Sequence, residues 1–208
     1  MARYEGETKS GKLGDLIYSS WHGRPYTRRC PETVANPRTE KQQAHRNAFA
    51  EISRLSSAMK VAHKVGLHRQ ALRQKLDTYG LFKKLNKDCY DADGIDYARV
   101  RISLGMLAGA VITSVGVDAQ GVVSVAFDGH AFSGRRSDQF YVYVFCPDQG
   151  EGLFMEPVAR DAGFVAASVL EAWRGHDLHL YAFMKSEKGQ TSETIYAGQF
   201  SCPGEQKP

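Results

Sequence analysis

Two clusters in this 208-residue chain, one of histidine with aspartate and one of aspartates alone, invite a metal or acid–base reading. The first is HDLH at 176–179. In a strand, His176 and His179 point to opposite faces, so they cannot share an ion without a bend, and they read as surface or edge histidines. The second is DCYDADGID, where Asp88, Asp91, Asp93 and Asp96 surround Gly94 in the manner of a calcium loop. Aligning Gly94 with the invariant glycine of such a loop puts Cys89 at the first ligand position and Val100 at the last. The bidentate Glu is then missing, and a solvated turn between domains is the better reading. His45, His63 and His68 have no cysteine or serine at a catalytic spacing and read as helix-surface histidines. Cys30, Cys89, Cys146 and Cys202 are far apart and form no C-x-x-C pair, which argues against a zinc site and a disulfide framework. A G-x-S-x-G elbow, a P-loop, an H-E-x-x-H motif and a G-x-G-x-x-G motif are all absent. The expectation is therefore a non-enzymatic protein without catalytic residues, cofactor or metal.

One feature does carry chemistry. GRPYTRRCPETVANPRTEKQQAHR, residues 23–46, holds six Lys/Arg against two Glu and is punctuated by three prolines. Arg24, Arg28, Arg29, Arg38 and Arg46 are interleaved with Trp21 and Tyr26, the residue types from which stacking platforms for single-stranded nucleic acid are made. A solvated charged surface uses the same residues, because arginine stems also cover apolar area. The charge of the whole chain is split: residues 1–101 carry 20 Lys/Arg and 11 Asp/Glu, whereas residues 102–208 carry 7 and 12. A basic half of this kind suits a polyanion or an acidic protein face.

The elements that must position the arm follow from periodicity. Residues 11–29 read as a β-hairpin, with DLIYSSW and YTRR joined through HGRP. Pro31 and Pro37 keep the next segment extended. Thr39 and Gln42 have capping-box spacing, and Ala48, Ile52, Leu55, Met59 and Ala62 then share one helical face as far as Gly66. A second helix is expected over 68–87, with Leu72, Leu76, Tyr79 and Phe82 inward, making a helical hairpin. After residue 95 the period changes to two. Segments 98–107, 122–127, 139–145, 163–170, 177–184 and 192–200 read as strands separated by turns. The fold class is thus α+β: a basic β-hairpin, extended arm and helical hairpin over 1–90, then an antiparallel immunoglobulin or fibronectin-like β-sandwich over 95–208 that should fold alone. No apolar run of membrane-spanning length and no signal peptide is present, so a cytoplasmic location is expected and a membrane partner is not.

Gly11, Gly14, Trp21, Gly23, Tyr26, Arg28, Pro31, Asn36, Pro37, Arg38, Thr39, Gln43, Arg46 and Phe49 form a pattern that resembles an uncharacterised domain-of-unknown-function family of Bacteroides-type bacteria. That family's signature runs W-x-G-x-x-Y-x-R and then N-P-R-T-x-x-x-Q-x-x-R-x-x-F. The resemblance implies a bacterial or phage-derived protein, placed in the cytoplasm or in a virion, and implies no activity. It also implies that Arg28 and Arg46 are internal partners of the fold. The reading that results is a structural or adaptor protein of a mobile element or virion, with a protein partner or self-assembly. A nucleic-acid-binding protein and a surface adhesion module are the alternatives.

Overall fold

The computed structural model describes residues 3–5, 8–21, 23–33, 38–91 and 94–204. The chain divides into two compact units, Met1–Gln43 and Ala44–Pro208. This is not the division expected at residues 90–95. The helices share a core with the sheet that follows them, and the parting lies near the start of the first helix instead.

The first unit is a four-stranded antiparallel meander of β1 (Arg3–Glu5), β2 (Thr8–Leu13), β3 (Leu16–Trp21) and β4 (Arg24–Arg29), in that order across the sheet. The expected hairpin is its C-terminal half. Its turns work because Gly14 and Gly23 take φ of 58° and 77°, a region that side chains with a Cβ resist. Gln42 N–H donates to Thr39 Oγ1 at 3.4 Å, as the cap reading requires.

The second unit has three layers. Four helices come first: α1 (Glu40–Ala58, entering from the first unit), α2 (Lys60–Gly66), α3 (His68–Arg73) and α4 (Thr78–Asn86). A two-stranded ribbon of β5 (Tyr90–Asp91) and β6 (Gly94–Ile95) follows. Then come β7 (Val111–Val117), β8 (Val122–Asp128), β9 (Gln139–Cys146), β10 (Glu151–Phe154), β11 (Val158–Ala159), β12 (Phe164–Ser168), β13 (Asp177–Lys185) and β14 (Ile195–Ser201). One sheet has the order β12-β8-β7, and the other β10-β9-β13-β14 with β11 also on β9. All their pairings are antiparallel.

Alternation along β9 and β13 explains the layering. Phe140, Val142 and Val144 with Leu178, Leu180 and Ala182 meet Val123, Val125 and Val165 of the smaller sheet in one core. The intervening Tyr143, Phe145, Tyr181 and Phe183 meet Leu55 and Phe82 of the helices, and Met59 and Leu67 at the helix junctions, in a second core. A sheet covered on both faces loses hydrophobic alternation, which is why QFYVYVFC reads as a continuous apolar run. The sandwich therefore does not stand alone: without the helices, four large aromatic side chains that are at most 2% exposed would meet water.

Three local expectations are corrected. The helix expected over 68–87 breaks between Arg73 and Thr78. Lys75 takes φ of 54°, and Asp77 caps α4 by accepting from Gly80 N–H at 2.7 Å. Leu72 and Leu76 are consequently 65% and 39% exposed rather than inward. Gly66 does end α2, but its work is close approach: a Cβ there would lie 2.3 Å from the carbonyl oxygen of Ile102. The segment 98–107 is a strap and not the first strand. Its backbone is held by side chains, with Ile102 and Ser103 N–H donating to Thr194 Oγ1 and Arg101 N–H to Asn86 Oδ1. A strap bonded in this way has no ladder partner to make it a strand.

Candidate functional site

The register of the N-terminal sheet sorts the arm's residues into two faces. Residues directly opposite one another share a face, and successive residues alternate. Trp21 stands opposite Arg24, Ser19 opposite Tyr26, and Ile17 opposite Arg28, with Lys12 opposite Ile17 from the other side. Lys12, Ile17, Trp21, Arg24, Tyr26 and Arg28 therefore lie on one face. Arg29, opposite Leu16, belongs to the other. Along β4 the alternating Arg24, Tyr26 and Arg28 are spaced about 7 Å apart, and Trp21 and Tyr26 are diagonal neighbours at about 7–8 Å.

This face is open. All six residues of β4 are exposed, Trp21 is 70% exposed and Tyr26 47%. No described side chain of the unit is buried. Strands β2, β3 and β4 contain five Lys/Arg and no Asp or Glu, and β1 adds Arg3 and Glu5. Arg28 and Arg46 are both exposed. Arg38 lies just ahead of α1 and Arg46 within it, so neither is part of the sheet. The register places Lys12 and Ile17 on the same face as Trp21, Arg24, Tyr26 and Arg28 and separates Arg29 from Arg28, a sorting that period-two alternation across a Gly-centred turn carries.

Elsewhere the chemistry-bearing side chains are absorbed by the fold. His63, expected on a helix surface, is fully buried; its Nε2 lies 2.9 Å from the Ser56 carbonyl oxygen, and its ring packs against Tyr79 and Phe82. Burial lowers its pKa. His179 stacks on Tyr97 at 4.3 Å, lies 2.8 Å from the Tyr196 hydroxyl, and is likewise lowered by burial. His176 instead pairs with Asp148 at 2.8 Å, so the two histidines of HDLH serve separate partners. Arg160 and Asp138 form a fully buried pair at 3.3 Å, and Arg160 also donates to the carbonyls of Ala108, Gly109 and Gly129. All four cysteines are free, and burial raises the thiol pKa of Cys89, Cys146 and Cys202, which keeps them unreactive. Among the described residues no cluster of three or more His, Cys, Asp or Glu could hold a metal. No helix among them is long and apolar enough to cross a membrane.

The family model of DUF6266, a family of unknown function, matches residues 8–198, and the chain belongs to that family. No curated protein matches the sequence. Among solved structures, the fn3 domain of human collagen alpha-1(XX) chain is similar over 49% of this chain and 90% of its own, at 11% identity and a TM-score of 0.36.

Proposed function

We propose that this member of the family is a non-enzymatic binding or assembly protein, a structural or adaptor component, whose N-terminal sheet is the docking surface. One observation carries the reading: Trp21 is 70% exposed on a sheet with no buried side chain among its described residues. A sheet gains independent stability from an apolar face that is covered, and exposed Trp, Tyr and Arg are the residue types that anchor interfaces. A protein face presenting carboxylates to Lys12, Arg24 and Arg28 while covering Trp21 and Tyr26 would complete that burial. The chain's own acidic half, with 7 Lys/Arg against 12 Asp/Glu over 102–208, makes a second copy one such partner. The scaffold is an immunoglobulin or fibronectin-type sandwich. Its first, second and fifth principal strands (β7, β8, β12) form one sheet, and its third, fourth, sixth and seventh (β9, β10, β13, β14) the other. A component of a mobile element or virion is the narrower form of the proposal, motivated by the signature Trp21 to Phe49.

A second reading, contact with single-stranded nucleic acid, is favoured by the register itself. Two aromatic platforms and three cations on one face match the groove-and-stack mode of sequence-tolerant binders. Light scattering of the full chain and mobility shift of a 30-base single strand at about 100 mM salt separate the two. A defined oligomer that Trp21→Ala dissolves supports assembly. A monomer that shifts the probe, with a log–log salt slope near −0.7 per phosphate contacted, supports the second reading. In that case Arg24→Ala with Arg28→Ala flattens the slope and Arg29→Ala, on the opposite face, does not. A monomer that shifts nothing at micromolar protein sinks self-assembly and the nucleic-acid reading together and leaves only a protein partner of another sequence.

A further inference from the structure

The second unit carries a separate surface on its helices. A groove of about 380 Å³ runs between His45, Phe49 and Ile52 of α1 and Gly80 and Lys83 of α4, with Lys87 just past the end of that helix. Each wall is a single helical stripe: positions 45, 49 and 52 on one side, and 80, 83, 84 and 87 on the other. The floor is apolar. Ile52 is 2% exposed, and Gly80 contributes bare backbone whose N–H is tied to Asp77. Phe49 rises from the wall at 57% exposure, with Lys83 Nζ 5.2 Å from its ring centroid.

The charge around this floor is of one sign. Three lysines line the groove, and no Asp or Glu does. Lys84 donates to Gln74 Oε1 at 3.2 Å, and Lys87 lies 3.9 Å from Asp88; both are exposed contacts that a partner's carboxylate can replace at little cost.

We infer that this groove is the docking site for an acidic amphipathic segment of a partner protein. An apolar side chain of the segment sits against Phe49 and Ile52, and its carboxylates face Lys83, Lys84 and Lys87. The wall from Gly80 to Lys87, eight residues and seven helical rises, spans about 10 Å, enough for two turns of an incoming helix. Charge complementarity selects the acidic occupant. A nucleic acid would meet the lysines but leave the apolar floor uncovered. The surface lies in a different unit from the N-terminal sheet, so the two readings stand or fall separately.

The test is fluorescence anisotropy with the full chain and a labelled helical peptide of about four turns, bearing Leu at i, i+3 and i+7 and Glu elsewhere. Controls carry Lys in place of Glu, or Ser in place of Leu. The acidic amphipathic peptide is expected to bind at about micromolar Kd, at least about tenfold tighter than either control. Phe49→Glu, and Lys83→Glu with Lys87→Glu, are each expected to weaken it about tenfold or more. Because Phe49 is exposed, Phe49→Glu leaves the melting temperature unchanged, which separates lost docking from lost folding. Equal binding of the three peptides, or an unaffected Phe49→Glu variant, overturns the inference. So does a dimer that Phe49→Glu dissolves, which would give the groove to a second copy. A steep fall in melting temperature in that variant would mean the chain covers its own groove, and also overturns it.

Discussion

Strands β4 and β13 are both rich in residues that sheets favour, yet they are treated in opposite ways. RPYTRR is exposed at all six positions, whereas DLHLYAFMK is buried at seven consecutive ones. The difference is the number of layers. β13 lies between a second sheet and a helical layer, so both of its faces are dry. β4 is the edge of a meander whose described side chains find no such cover. A strand's burial is therefore decided by what is stacked on it, and the same aromatic residue types are core in one place and exposed in the other.

The largest effects should come from breaking the doubly covered sheet. Phe183→Ala is expected to cost about 3–5 kcal/mol, read as a fall in denaturant midpoint, because the ring is fully buried between β9 and the helices. Arg160→Ala should cost a similar 3–5 kcal/mol by leaving the Asp138 carboxylate buried without its partner. Next comes a contrast within the helices. Leu55→Ala, at 4% exposure, should cost about 2–4 kcal/mol, and Leu76→Ala, at 39%, less than about half of that. Equal costs would restore the unbroken second helix.

A third effect is pH-dependent. Burial holds His63 and His179 neutral, with folded pKa values below the unfolded value of about 6.5. The unfolded chain then binds more protons than the folded one below that pH. Stability is fully present above about 6.5 and falls as pH drops from there toward the lowered folded values. His63→Phe should reduce this acid-side slope, measured by denaturant titration at several pH values. Burial raises Tyr143 and Tyr181, so stability should also fall above about pH 10, where the unfolded chain loses protons that the folded one keeps. The smallest effect is expected in the displayed sheet: Trp21→Ala and Arg24→Ala should each change stability by no more than about 0.5 kcal/mol.

Much of this contrast was legible in the sequence, but unevenly. The hairpin over 16–29 follows from Gly23 and β-favouring residues, and the start of α1 from Thr39. The strands at 122–128, 139–146, 164–168, 177–185 and 195–201 follow from short apolar runs between turns. The helix break at 74–77 was masked because the 3.6-residue pattern continues through it, although Asp77 is a capping residue in plain view. The strap at 98–107 was unreadable because two of its hydrogen-bond partners, Thr191 and Thr194, lie some ninety residues away. The helical layer over Tyr143 and Tyr181 was hinted at by the missing alternation in QFYVYVFC, a signal that a sheet buried on both faces would explain. The exposed face of the N-terminal sheet was legible as residue types only, since Arg28 and Arg29 separate once the register is known and not before.

Hydrogen exchange on the free full chain, read peptide by peptide, tests the contrast most directly. Amides of β9 and β13 should exchange slowest, near the limit set by global unfolding, because both faces of those strands must open together. Amides of β3 and β4 should exchange much faster, through local opening of a sheet without a buried core, and should slow when the partner that covers Trp21 and Tyr26 binds. Protection of β3 and β4 equal to that of β9 and β13 in a monomeric free chain would contradict the account, since the N-terminal sheet would then be a packed structural element and not a displayed one.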